Sequence, residues 1–175
     1  MKISNKKKIF LKQNFIELKI LYPENVSKNY VDWMNNKSIV KYTEQRYYKH
    51  TEQSVKKFVD KKFKSKNNFL FGIFFHKKHI GNIKLGPIIK IRKTSDISYI
   101  IGFKKYWNKG IASISVALVT TFAFKILKLK TLRAASYLDN LGSIYVLKKN
   151  GYVFSRYSKI RNRKIVFLIK KNNKL

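Results

Sequence analysis

The sequence predicts an α+β fold: a mixed central sheet flanked by about four helices, in the order βααβββαβαββ. Three observations carry that prediction. Ser95 to Leu127 reads as a strand, a basic glycine-containing turn and a long apolar helix. Phe69 to Leu85 reads as an antiparallel hairpin around the turn His76 to Lys78. The alternation strand, helix, strand, helix that starts at Ser95 calls for a right-handed crossover, which lays the Ser95 and Thr131 strands parallel. At 175 residues the chain is expected to be a single domain, spanning 1–175, with room for a sizeable core.

Each element has a local cause. Phe15 to Leu21 alternates and is followed by Pro23, which marks a strand ending in a turn. Ser27 is placed to cap a helix over K-N-Y-V-D-W-M-N-N, where Tyr30, Val31, Trp33 and Met34 form one apolar stripe; on that pattern Trp33 is core. Ser38 to His50 holds aromatic and charged side chains without a clean period, as pocket-lining loops often do. Thr51 caps a second helix, in which Val55, Phe58, Val59 and Phe63 share a face. Gly86-Pro87 is expected to end the hairpin strand that begins at His79. His76 and His79 flank its turn with no carboxylate near in sequence, and they read as solvated turn residues with no metal site. Thr131 to Tyr137 forms a strand, and Asn140 opens a helix that Gly151 stops. Val153 to Tyr157 and Lys164 to Ile169 close the sheet as a hairpin around K-I-R-N-R, and the polar tail Lys170 to Leu175 is expected to fray.

Composition excludes several function classes. The chain has no cysteine, so disulfides, thiolate nucleophiles and cysteine-based metal sites are absent. The N-terminal residues build no apolar leader core, and the longest uncharged apolar block, Ile111 to Phe124, is shorter than the roughly 20 residues a membrane helix needs. A cytoplasmic location without a membrane partner is expected. The net charge of +32 invites a nucleic-acid reading, but its 40 basic residues are 34 Lys and 6 Arg spread along the chain. Base-edge readout favours the planar fork of arginine, and arginine is the scarce one. A solvated lysine surface is the preferred reading over a nucleic-acid partner.

The turn before the long helix is the stretch with chemistry in it. Backbone N–H groups at a helix start lack intrahelical partners, and the aligned peptide dipoles favour an anion there. Lys109, Gly110, Ile111, Ala112 and Ser113 therefore read as a phosphate cradle, with Gly110 allowing close approach and Lys109 adding charge. The single glycine fits neither a Rossmann turn nor a P-loop. The turn Y-W-N-K-G-I-A-S (Tyr106 to Ser113) instead resembles the acyl-CoA-binding motif of the GNAT superfamily of N-acetyltransferases, in the branch that contains ribosomal-protein N-terminal acetyltransferases. Asn108 stands where that branch usually has glycine, and asparagine tolerates positive φ. A second motif, N-L-G-S-I-Y-V-L-K-K-N-G-Y (Asn140 to Tyr152), and a third, I-G-N-I-K-L-G (Ile80 to Gly86), are similar to the same branch. The resemblance extends from about Phe15 to Ile169.

The resemblance implies a six- to seven-stranded sheet whose central parallel strands splay apart. It also implies acetyl-CoA as co-substrate, with no metal. The pantetheine arm would lie along Tyr99, Ile100, Ile101 and Phe103, with a backbone N–H near Ile100 or Ile101 facing the thioester oxygen and Asn140 holding the pantetheine amides. Many members place a tyrosine proton donor where this chain has Leu147; the relatives most like it use the serine that aligns with Ser143. Ser143 is then the proton donor, or on spacing alone a helix cap. Asp96 and Glu44 are the two candidate bases, with solvent as the third option. Trp33, Tyr42 and Arg46 fall in stretches similar to members that acetylate amino sugars on nucleotide carriers, which makes them acceptor residues. The implied partners are acetyl-CoA and a small amine, with a homodimer allowed. N-terminal acetylation of a protein such as a ribosomal protein is the alternative acceptor reading, and a non-catalytic basic nucleic-acid-binding module is the alternative class.

Overall fold

The structure, a computed structural model, describes residues 6–173. It contains one eight-stranded sheet in the order β1-β2-β3-β4-β5-β6-β8-β7. The strands are β1 (Phe10–Gln13), β2 (Ile16–Ile20), β3 (Phe69–Phe75), β4 (Lys78–Ile89), β5 (Thr94–Ile101), β6 (Thr131–Tyr137), β7 (Val153–Ile160) and β8 (Arg163–Lys171). The helices are α1 (Lys28–Asn35), α2 (Lys37–Val40), α3 (Glu52–Lys64), α4 (Ile111–Thr121) and α5 (Leu141–Lys149). Only β5 and β6 run parallel; the other neighbours are antiparallel.

The predicted caps close as their residue types require. Ser27 Oγ accepts from Tyr30 N, Thr51 Oγ1 from Ser54 N, and Asn140 Oδ1 from Ser143 N. Two layers of helix cover the sheet because its strands alternate. Phe69, Phe71 and Ile73 point toward Val116, Val119 and Phe122 of the α4 side, whereas Leu70 joins Tyr30, Trp33, Val55 and Val59 of α1 and α3.

The structure differs from the sequence reading in several elements. The sequence reading has no strand at β1, because Phe10–Gln13 is largely exposed and has no apolar alternation; it is held by its antiparallel pairing to β2 and by Leu11, which packs against the core. β4 does not stop at Gly86-Pro87: a register break between Leu85 and Ile88 absorbs the two residues, and pairing resumes at Ile88 with Ser95. The long apolar helix is α-helical only to Thr121, then widens into a π-turn over Phe122–Ile126, with Leu127 N–H donating to Phe122 O. The loop after α1 contains the short α2 and a 3-10 turn over Glu44–Tyr47. His76 occupies its turn with φ of 47°, but His79 is in β4, stacked on Phe74 and edge-on to Trp33. Lys170 and Lys171 belong to β8 and Asn172 N–H donates to Lys130 O, so this part of the tail is held; Lys174 and Leu175, like Met1 to Asn5 of the N-terminal leader reading, lie outside the described residues. Among the described residues no helix is long and apolar enough to cross a membrane, and no cluster of three or more His, Asp or Glu could hold a metal ion.

Candidate active site

The site begins where the two parallel strands part. β5 pairs with β6 only through Thr94, Ser95 and Asp96 against Thr131, Leu132 and Arg133. Beyond that point β5 stays with β4 and β6 stays with β8, and a cleft of about 750 Å³ opens between them. Gly102 N–H donates to Ile80 O at 2.7 Å, which sets which residues face which way. Alternate residues of an antiparallel pair bond to the partner, so Ile100 and Ser98 turn their backbone groups to β4 while Ile97, Tyr99 and Ile101 turn theirs to the cleft. The Ile101 carbonyl there accepts from Trp107 Nε1 at 3.0 Å, which folds the following turn back over the strand end. Of the two amides considered from sequence, that of Ile101 faces the cleft and that of Ile100 does not.

One end of the cleft is the start of α4. Gly110 is its N-cap with φ of 74°, and a Cβ built there meets no atom within 4 Å. Asn108 has φ of 57°, the positive value that asparagine accepts more readily than most residues. The first bond of the helix runs from Ile114 N–H to Gly110 O, so the N–H groups of Ile111, Ala112 and Ser113 precede the helical ladder. Lys109, Gly110, Ile111, Ala112 and Ser113 all line the cleft. These features suit a pyrophosphate: free amides, a cation and no side chain in front of them.

At the middle, Tyr99 and Ser143 meet. The Tyr99 hydroxyl donates to Ser143 Oγ at 3.0 Å, which leaves the serine proton free to point elsewhere. Burial pushes the Tyr99 phenol up to about 12, with the bond to Ser143 opposing, so it stays protonated at neutral pH. Asn140 lines the cleft and its side chain caps α5 by accepting from Ser143 N at 3.3 Å. The cap of that helix is thus Asn140, and the Ser143 hydroxyl is not used for it. Leu147 is buried, 1% exposed, with no polar atom to offer.

The far end is built from parts distant in sequence. Glu44 accepts a short hydrogen bond from the Tyr137 hydroxyl and pairs with Arg161 Nε at 3.3 Å. Tyr42 lines the same end and donates to Asp139 O at 3.2 Å. Arg46 sits behind it, donating to the hydroxyls of Tyr47 at 2.7 Å and Tyr137 at 3.2 Å and to the Lys41 carbonyl.

Four residues singled out from sequence do not line the cleft: Arg46, which stands behind its far end, and Asp96, Trp33 and Phe103. Asp96 is on the still-paired part of β5, where its carboxylate binds Arg133 Nε at 2.8 Å and does not line the cleft. Trp33 is 3% exposed, packed on Phe103, His79 and the flat face that Gly102 leaves open, so it is core and not an acceptor contact. Phe103 packs against Trp33 and Tyr106 and is absent from the cleft wall. Conversely, the sequence reading does not single out Tyr137, which lines the cleft, nor Arg161 and Arg163, which stand behind it and bind Glu44 and Asp139. Their only sequence signal was the placement of K-I-R-N-R in a hairpin turn beside the last strand.

Comparison with known proteins agrees with this geometry. Residues 22–153 match the family model described as the acetyltransferase (GNAT) domain. The chain is 39% identical over 85 residues to the probable N-acetyltransferase YjcK of Bacillus subtilis (strain 168), covering 47% of this chain and 46% of that protein. The match thus spans about half the length of that curated relative. The fold is that of the RimL ribosomal L7/L12 alpha-N-protein acetyltransferase in complex with coenzyme A, with a TM-score of 0.84 and 15% identity over 93% of this chain and 98% of the other. It is also that of the spermidine N-acetyltransferase from Vibrio cholerae in complex with CoA and spermine, with a TM-score of 0.79 and 17% identity over 90% and 95% of the two chains.

Proposed function

This chain belongs to the GNAT acetyltransferase family, and from that premise we propose that it transfers the acetyl group of acetyl-CoA to a primary amine by direct attack, the acceptor being the amine of a nucleotide-linked amino sugar. The observation that carries the reading is the parting of β5 from β6, which leaves backbone groups of Tyr99 and Ile101 unpaired by β6 and lining an open cleft. Acetyl-CoA supplies an activated thioester. The chain supplies the rest. Amides of the α4 start and Lys109 hold the pyrophosphate, and the Asn140 amide and the cleft-facing backbone of β5 hold the pantetheine arm. The cleft-facing N–H of Ile101 is aimed to stabilise negative charge on the carbonyl oxygen.

Two proton movements remain. Ser143 donates its proton to the departing sulfur, because its oxygen already accepts from Tyr99 and its hydrogen is free, and it is reprotonated by the N–H proton that the former amine loses as the amide forms. Glu44 takes the proton of the ammonium, directly or through Tyr137; it is the one candidate base that lines the cleft, now that Asp96 is held by Arg133.

Acceptors as cationic as a spermidine or a peptide N-terminus need carboxylates free to receive them. Here Glu44 and Asp139, the acids at that mouth, are each engaged by an arginine. That favours an acceptor with negative charge over a protein N-terminus, which is the second reading. The test is thiol release from acetyl-CoA with uridine-diphosphate-linked amino sugars beside peptides with free N-termini. Turnover on the sugar is expected, and turnover on peptides alone overturns the acceptor. A protein that binds no acetyl-CoA but binds nucleic acid with steep salt dependence overturns the enzyme reading itself.

A further inference from the structure

Half of the arginines in this lysine-dominated chain meet at one place. Arg46, Arg161 and Arg163 gather behind the far end of the cleft, against Tyr42, Glu44 and Tyr137 of its wall, from the loop after α2, the β7–β8 turn and the first residue of β8, and they interleave with tyrosine rings. The Arg161 guanidinium is 4.4 Å from the centre of the Tyr47 ring, and Arg46 is 4.6 Å from the same ring. Arg46 is also 4.9 Å from the Tyr137 ring, and Arg163 is 4.1 Å from it. Arg163 reaches on to Tyr42 at 5.8 Å, where Lys41 lies at 4.9 Å. The result is a continuous ladder, Arg161, Tyr47, Arg46, Tyr137, Arg163, Tyr42. Stacking on a ring fixes the plane of a guanidinium and leaves its edge N–H groups to bind an oxyanion.

The charge in this ladder is not balanced by its neighbours. Two carboxylates face it: Glu44, at 3.3 Å from Arg161 Nε, and Asp139, which receives Arg163 at 2.8 and 3.1 Å. Against them stand three guanidinium groups and the Lys41 ammonium. Arg46 gives its hydrogen bonds to a carbonyl and two phenols and has no carboxylate partner among the described residues. Holding like charges together in fixed geometry is unfavourable unless an anion completes the set.

We propose that the ladder is the anion subsite of the acceptor, that it binds a nucleoside diphosphate, and that Arg161 and Arg163 determine this specificity. The inference rests on the acetyltransferase reading of the cleft. Arg161 is the exposed member: its side chain is 57% exposed, and its one carboxylate contact, at 3.3 Å, is longer than the 2.8 Å contact of Arg163. When it turns to a phosphate it releases Glu44 toward the amine, so the part of the acceptor that carries no reacting atom prepares the base. An acceptor without that anion leaves Glu44 paired.

The experiment is calorimetric titration of uridine diphosphate into protein saturated with coenzyme A, so that the α4 cradle is filled, at physiological salt. Wild type is expected to bind uridine diphosphate and not uridine. Arg161→Gln/Arg163→Gln is expected to weaken binding about tenfold or more, the scale of one charged hydrogen bond lost at a phosphate. Lys57→Gln/Lys61→Gln on α3 removes the same formal charge far from the ladder and is expected to change little. Equal weakening by both pairs would assign the effect to the general field and overturn the proposal, as would binding of uridine as tight as that of its diphosphate. Each variant is checked for coenzyme A binding. If the glutamine pair fails it, Arg161→Lys/Arg163→Lys keeps the charge but removes the forks, and unchanged diphosphate affinity in that variant refutes the assignment. Loss of coenzyme A binding in wild type would instead sink the acetyltransferase reading, and is read separately.

Discussion

Replacing Gly110 separates shape from charge at the phosphate cradle. The residue has φ of 74° and a Cβ placed on it meets nothing within 4 Å, so a side chain here costs backbone strain but causes no clash. Asparagine and aspartate tolerate this left-handed region better than other residues, and the strain is on the order of 1 kcal/mol or less for either. They differ by one charge. A carboxylate about 4 Å from a phosphate is repelled by about 1 kcal/mol in bulk water and about 4 kcal/mol at the effective dielectric of a protein surface. Gly110→Asp should therefore bind acetyl-CoA about fivefold to nearly a thousandfold more weakly than Gly110→Asn. Calorimetric titration of both variants with acetyl-CoA measures the ratio directly, and raising the salt should narrow it. Equal affinities of the two variants would show that no phosphate sits at the start of α4.

Other outcomes follow from the same geometry. Ser143→Ala should lower kcat by about 10²–10⁴ with little change in the KM for acetyl-CoA, and Tyr99→Phe, which keeps Ser143 but frees its acceptor lone pair, should lose less; steady-state kinetics separates them. Trp33→Ala should cost about 3–5 kcal/mol in urea unfolding, as expected for a ring sealed between Phe103, His79 and Gly102. Burial holds the His79 imidazole below its ordinary 6.5, against the bonds its Nε2 makes to the Asn82 side-chain oxygen and the Gly81 carbonyl. The unfolded chain then binds the extra proton first, so stability is complete above about 6.5 and falls as the pH drops through and below that value. Between pH 7.5 and 5.5 the thermal midpoint of wild type should fall more than that of His79→Gln, and parallel curves would rule the histidine out as the cause.

The sequence made the cradle legible because it is local. Five consecutive residues, one glycine and a helix start are enough to place free amides in front of a ligand, and the structure has them in front of the cleft. The acceptor end was illegible for the opposite reason. Its bonds close over large separations, as in Glu44 to Tyr137 and Arg163 to Lys41, and no periodicity encodes them. Asp96 and Trp33 mark where analogy of position misleads. Asp96 is on the right strand, but three residues of parallel pairing to β6 keep it outside the opening. Trp33 is on the right helix, but the apolar stripe that folds the helix turns the ring inward, against the backbone of Gly102. In both cases the physics of the element, register in one and amphipathicity in the other, decided against the resemblance.

The two subsites proposed for the cleft put lysine and arginine to different uses. A net charge of +32 built mainly from lysine raises the local concentration of any polyanion, but mobile ammonium groups discriminate little among them. Selection needs donors fixed in direction. At α4 the backbone supplies these, since amides at a helix start cannot swing away. At the far end the proposed donors are side chains, and tyrosine rings take over the task by clamping guanidinium planes. On this argument salt should slow the approach of both ligands through the lysines, whereas the discrimination between a diphosphate and its uncharged nucleoside resides in the arginine forks.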